Sequence, residues 1–173
     1  MFIGKLLVMV IFLLTFCAGQ TAPDKLLEPD SIGVFFYLDP ATQTLKRLPV
    51  EEWAWRANDV TVHGSASPFR IAEDKPTFVV KTFKAEDAEG IRLFQFRVKG
   101  DSRRHRFGRR TFKTFTPDQG TACNIVKFGE SSYKVTPEAP LEAGEYELTT
   151  YSGQQQLPMT SRAFTFGLSV SGR

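Results

Sequence analysis

Pro76-Thr-Phe-Val-Val-Lys-Thr-Phe-Lys84, then Ala85-Glu-Asp-Ala-Glu-Gly90, then Ile91-Arg-Leu-Phe-Gln-Phe-Arg-Val98, is the stretch from which the fold is read. The first run is dominated by β-branched and aromatic residues. In the second, Arg92, Phe94, Phe96 and Val98 alternate with Ile91, Leu93, Gln95 and Arg97. A period of two suits strands that bury at least one face. The polar connector ending in Gly90 predicts a surface hairpin joining them.

Working outward, the same grammar repeats. Ile32 to Leu38 and Thr44 to Val50 read as strands around Asp39-Pro-Ala-Thr-Gln43, where proline presets a backbone angle and aspartate bonds the chain beyond it. Val60-Thr-Val62 and Phe69 to Ala72 are short extended pieces, and Lys99-Gly-Asp-Ser102 is a tight turn. Arg103 to Phe107 and Arg110 to Phe115 flank Gly108 as a bent strand or second hairpin. Ile125 to Phe128 and Tyr133 to Val135 form a hairpin across Gly129-Glu-Ser-Ser132. Tyr146, Leu148 and Thr150 alternate with Glu145, Glu147 and Thr149, which predicts a strand with one dry face. Phe164, Phe166, Leu168 and Val170 share a face near the end. About nine or ten short strands with regular turn signals predict a single antiparallel β-sandwich, immunoglobulin-like or jelly-roll-like. Glu51 to Asn58 is the ambiguous stretch, with good helix formers but a strand-like Trp53 and Trp55 spacing.

The beginning of the chain is set apart from the fold. Lys5 precedes an apolar run, Leu6 to Phe16, and Cys17-Ala-Gly19 supplies small residues, the layout of a cleaved secretory signal over residues 1–19. The apolar run is short for a membrane span, which needs about 20 residues, so the mature chain is expected to carry no transmembrane segment. A competing reading lipidates Cys17, although Phe16 is bulky for that motif. Residues 20–31 read as an arm and 32–173 as the domain. Export is to a bacterial periplasm, cell surface or medium. Cleavage after Gly19 leaves 154 of the 173 residues and a single cysteine, Cys123, so stability must come from packing without a disulfide.

Charge is distributed unevenly. The chain holds 22 Lys and Arg against 19 Asp and Glu. Seven of those cations (Lys99, Arg103, Arg104, Arg106, Arg109, Arg110, Lys113) and one acid, Asp101, fall in a single stretch, giving it +6 while the rest of the mature chain is net −4. Such a cluster could grip an anionic polysaccharide, an envelope component or a protein partner. Export argues against a nucleic acid. The bland alternative is a solvated basic hairpin. Trp53 and Trp55, if they share one exposed face, could stack on a sugar ring, and the alternative there is that they cover the core.

Catalytic signatures are weak. His63 and His105 are the only histidines, and neither has a metal-ligand neighbour at a useful spacing. A set of Ser65, His63 and Asp59 lacks a nucleophile-elbow motif. Gly100-Asp-Ser102 is followed by arginine where a hydrolase signature has leucine. The expectation is a non-catalytic binding or accessory domain needing no cofactor, with a hydrolase of unrecognised site as a further alternative.

Gly33-Val-Phe-Phe-Tyr-Leu-Asp39, Lys75-Pro-Thr-Phe78, Arg92 to Val98, Tyr133-Lys-Val-Thr-Pro137, Pro140-Leu-Glu-Ala-Gly-Glu-Tyr146 and Phe166-Gly167 together resemble an uncharacterised family of small secreted bacterial β-sandwich domains. Ala143 stands where that pattern has proline. The resemblance implies an exported β-domain and carries no known activity or site residues.

Overall fold

The computed structural model describes residues 28–56, 59–106, 108–110, 115–150 and 162–169, with the side chains of residues 55, 56, 109, 110 and 115–117 excepted. The proposed signal segment with Cys17, most of the proposed arm, Lys113 and Val170 lie outside these residues.

Fourteen strands and one short helix make up the described chain. In order they are β1 (Phe35–Leu38), β2 (Leu45–Arg47), β3 (Val50–Arg56), β4 (Asp59–His63), β5 (Arg70–Ile71), β6 (Phe78–Lys81), α1 (Ala85–Glu89) and β7 (Ile91–Val98). They continue with β8 (Ser102–Arg106), β9 (Gly108–Arg110), β10 (Phe115–Pro117), β11 (Cys123–Lys127), β12 (Ser132–Pro137), β13 (Gly144–Thr150) and β14 (Arg162–Leu168).

All-β holds, but the simple two-sheet sandwich does not. Strands β13, β7, β8, β4, β3 and β14 pair in that order, and β14 pairs back onto β13, closing a six-stranded antiparallel barrel. The closing register sets Tyr146 against Phe166 and Leu148 against Phe164. Strand β5 adds parallel to β14 outside this circuit. A separate sheet, in the order β11-β12-β6-β1-β2, packs against the barrel. Phe35 meets Phe164 at 5.3 Å between ring centroids and Phe78 meets Phe166 at 4.8 Å, so the shared core lies between the sheet and the outer faces of β13 and β14. Each such fully buried aromatic contributes about 1.5–3 kcal/mol.

The defining stretch does not form a hairpin. β6 lies between β12 and β1 in the sheet, whereas β7 lies between β13 and β8 in the barrel. The connector expected to be a turn is helix α1, whose Asp87 carboxylate accepts the Lys84 N–H (3.1 Å). Good helix formers and acids in its first turn favour that outcome, and the helix carries the chain from one layer to the other. The Asp39 turn matches expectation, with Asp39 accepting the Ala41 N–H at 2.9 Å and Leu38 opposite Leu45. Lys46, 2.5 Å from Asp39, holds that carboxyl below its usual range, first through its hydrogen bond. The Gly129 hairpin also forms, pairing Lys127 with Tyr133. The ambiguous stretch Glu51 to Arg56 is strand, with Trp53 opposite Val62 and Trp55 opposite Val60.

β13 corrects a second expectation. Its polar alternates are not on a wet face, since Glu145, Glu147 and Thr149 are all buried. They face the barrel interior while Tyr146 and Leu148 face the sheet. Inside, Arg103 is fully buried, its Nη2 2.7 Å from Glu51 Oε1 and its Nε donating to the Gly64 carbonyl at 2.9 Å. The Thr165 hydroxyl donates to the other oxygen of Glu51, and Thr165 and Ser67 share a hydroxyl bond of 3.0 Å. The Ser67 N–H donates to Glu145 (2.6 Å), whose carboxylate also pairs with Arg70 and lies 3.8 Å from Arg103 Nη1. Hydrogen bonds join Arg103, Glu51, Thr165, Ser67 and Glu145 in series, and the Arg103–Glu145 ion pair, with no hydrogen bond to Nη1 among the described residues, completes the ring. Removing one member of a buried ion network strands the others, at about 3–5 kcal/mol. Arg103→Ala is therefore expected to lower stability by about that much, and Arg104→Ala on the same strand by no more than about 0.5 kcal/mol. Urea unfolding of the two variants side by side checks this, and coincident midpoints would contradict it.

Candidate functional site

The alternation of β8 divides the basic stretch in two. Arg103 and His105 point into the barrel, and Ser102, Arg104 and Arg106 point outward. His105 stacks on Phe94 at 4.4 Å, its Nε2 is 2.6 Å from Glu147 and its Nδ1 is 3.1 Å from the Arg106 carbonyl. The ring is held between the Glu147 carboxylate and the Arg106 carbonyl. His105 thus braces β8 against β13.

Arg104 and Arg106 join a cavity of about 590 Å³. It arises where β7 and β8 part. Their ladder consists of Arg97 opposite Arg104 and Val98 opposite Arg103. Farther along β7 the chain segment 118–121 comes alongside, with the Thr121 N–H donating to the Leu93 carbonyl at 2.7 Å. The gap between β8 and this segment is the cavity, and Phe94 and His105 form its floor. Gly120 permits the close approach. It has φ +67°, and a Cβ there would overlap the Leu93 carbonyl oxygen.

Among the described residues, four cations line the cavity: Arg97, Lys99, Arg104 and Arg106. Asp59 and Asp118 are the acids on its wall. Asp59 is the register partner of Arg106, and Asp118 accepts the Gly120 N–H at 3.4 Å. Arg97 and Arg104 stand directly opposite one another, a like-charge pair with Cβ atoms about 5 Å apart that works against the sheet. Lys99 sits at the turn, where its N–H donates to the Ser102 carbonyl (2.8 Å) and Gly100 takes φ +58°.

Of the basic residues singled out by composition, Lys99, Arg104 and Arg106 converge on this cavity, whereas Arg103 belongs to the barrel interior. Arg109 and Arg110 are on β9, opposite Thr116 and Phe115 of β10. Arg97 was missed, because it lies just before the dense run. Its signal was available as the outward position of the alternating strand that leads into it. Trp53 packs against Val62, Phe96 and Ala163 in the barrel. His63 and Asp101 are 3.5 Å apart on the surface. Among the described residues, no group of three or more His, Cys, Asp and Glu side chains is placed to hold a metal ion, and no helix is long and apolar enough to cross a membrane.

No family model, curated protein or solved structure matches the chain.

Two predictions concern this region. Gly120→Ala meets both an unfavourable φ and an overlap, and is expected to cost more stability than Gly100→Ala, whose added methyl enters open space. The left-handed φ alone costs about 1–2 kcal/mol, so Gly120→Ala should exceed that figure in thermal or urea unfolding, and equal losses would refute the clash. Cys123, with its thiol 3.5 Å from the Thr121 carbonyl, is pushed up to about 11 by burial and then by the charge of Glu138, against Arg92. Its thiolate is scarce at pH 8. In a Cys17→Ser chain, alkylation at that pH should be about a hundredfold slower native than in urea, as followed by mass spectrometry.

Proposed function

We propose that the domain is an exported, non-catalytic binding module that holds an anionic ligand in the cavity between β7, β8 and residues 118–121. The observation that carries this reading is the opposition of Arg97 and Arg104, with Lys99 and Arg106 beside them, on one concave surface. Like charges directly across a ladder destabilise it, and an anion between them turns that repulsion into two charge-assisted contacts. Among the described residues, Arg97, Lys99 and Arg106 have no ion-pair partner within 4.0 Å, and the Arg104 Nε bonds only the Ser102 hydroxyl at 3.3 Å. The export component rests on the pattern of residues 1–19.

Sugar stacking draws less support, because Trp53 is engaged with the barrel interior. A hydrolytic role through His105 draws less as well, since its buried ring is engaged with Glu147 and stacked on Phe94.

Retention on a sulfated or phosphorylated matrix tests the reading. At about 150 mM salt, where exposed charges beyond about 8 Å are largely screened, wild type is expected to be retained. Arg97→Ser/Arg104→Ser should elute in the flow-through, and Arg47→Ser, an exposed cation on β2, should behave as wild type. Equal retention of all three proteins would remove the cavity from consideration.

A further inference from the structure

The arrangement of charge within the cavity narrows the ligand's chemistry. This step rests on the anion-site reading of the cavity. Arg106 has Asp59 opposite it in the ladder. Among the described residues, the four cations on the wall exceed Asp59 and Asp118 by two positive charges. Two of those cations, Arg97 and Arg104, are arginines directly opposite each other on neighbouring strands. Each presents a planar fork that donates paired N–H bonds.

A carboxylate offers two oxygens in one plane and one negative charge, and a single fork satisfies it. A second guanidinium on the opposite strand would then hold no acceptor. A tetrahedral oxyanion on a monoester has three terminal oxygens pointing in different directions. It can accept from both forks at once and still present an oxygen to a compact ammonium such as Lys99. Phosphate in that form carries about −1.5 to −2 charge at pH 7, matching the cavity's excess.

We infer that the cavity selects a tetrahedral oxyanion, a phosphate or sulfate group, gripped between the guanidiniums of Arg97 and Arg104. The volume of about 590 Å³ lies in the range of small-molecule sites and exceeds what one such group fills. The group is therefore carried on a small polar body such as a sugar, whose hydroxyls meet Gln95 and Thr121 on the cavity wall.

The test uses the full chain in calorimetric titrations with four probes at one salt concentration: inorganic phosphate, inorganic sulfate, glucose 6-phosphate and glucuronate. Glucose 6-phosphate is expected to bind at least about tenfold more tightly than glucuronate. Its margin over inorganic phosphate measures what the sugar body adds and separates a free ion from a sugar-borne group. Arg97→Lys/Arg104→Lys keeps both charges and removes both forks, and is expected to lose glucose 6-phosphate affinity by about tenfold or more. Circular dichroism and the melting temperature confirm that the variant is folded. If glucuronate binds as tightly as glucose 6-phosphate, or the lysine variant binds as wild type does, the oxyanion assignment is overturned while the anion site stands. If none of the probes binds and wild type is not retained on the anionic matrix, the anion site itself fails.

Discussion

A fully buried guanidinium is costly to place, because removing an ion from water carries a penalty of several kcal/mol even after relaxation. Arg103 can sit inside this barrel because Glu51, Glu145 and two backbone carbonyls surround it. Those partners come from different strands. Glu51 is on β3, Glu145 on β13, and Thr165, which bonds Glu51, is on β14. The ring of polar contacts exists only when the six strands have closed, and closure brings together carboxylates that would repel one another without Arg103. Barrel and arginine therefore require each other. Phe96, 5.6 Å from the guanidinium, adds an aromatic face to the site, where a cation is favoured.

This division of labour follows from the geometry of a strand. Successive side chains of β8 point to opposite faces, so a run that looks uniformly basic in sequence contributes Arg103 and His105 to the interior and Arg104 and Arg106 to the cavity. The inner pair holds β8 in place, through Glu51 and Glu145 on one side and Glu147 on the other. That fixes the height at which the outer pair emerges. The parting of β7 and β8, with Gly120 and Thr121 alongside β7, then turns what would be a flat basic ladder into a concavity.

Local structure was legible in the residues. The Asp39 and Gly129 turns, the turn at Gly100 and the alternation of β7, β13 and β14 all reflect short-range rules of backbone angle and period. Barrel closure was not legible, because it depends on β14 finding both β13 and β3, far apart along the chain. The polar alternates of β13 illustrate the difficulty. Glu145, Glu147 and Thr149 fit a solvated sheet face and the lining of a polar barrel equally well, and only their partners Arg103 and His105 distinguish the two. The connector after β6 failed for another reason. Six residues, three of them acidic, can turn a hairpin or wind one helical turn, and the decision rests on whether β6 and β7 belong to the same sheet. As for the cavity, composition pointed to its neighbourhood and strand register was needed to sort its members and to add Arg97.

β13 has a consequence for how the molecule opens. Every residue from Glu145 to Thr149 is buried, with an apolar side against the five-stranded sheet and a polar side within the barrel, and the strand is hydrogen-bonded along both edges to β7 and β14. It is a party wall between two rooms. Neither layer can loosen without exposing one of its faces, so sheet and barrel are bound into one cooperative unit. The amide protons of this strand then exchange with solvent only through global unfolding, and their rate reports the stability of the whole domain.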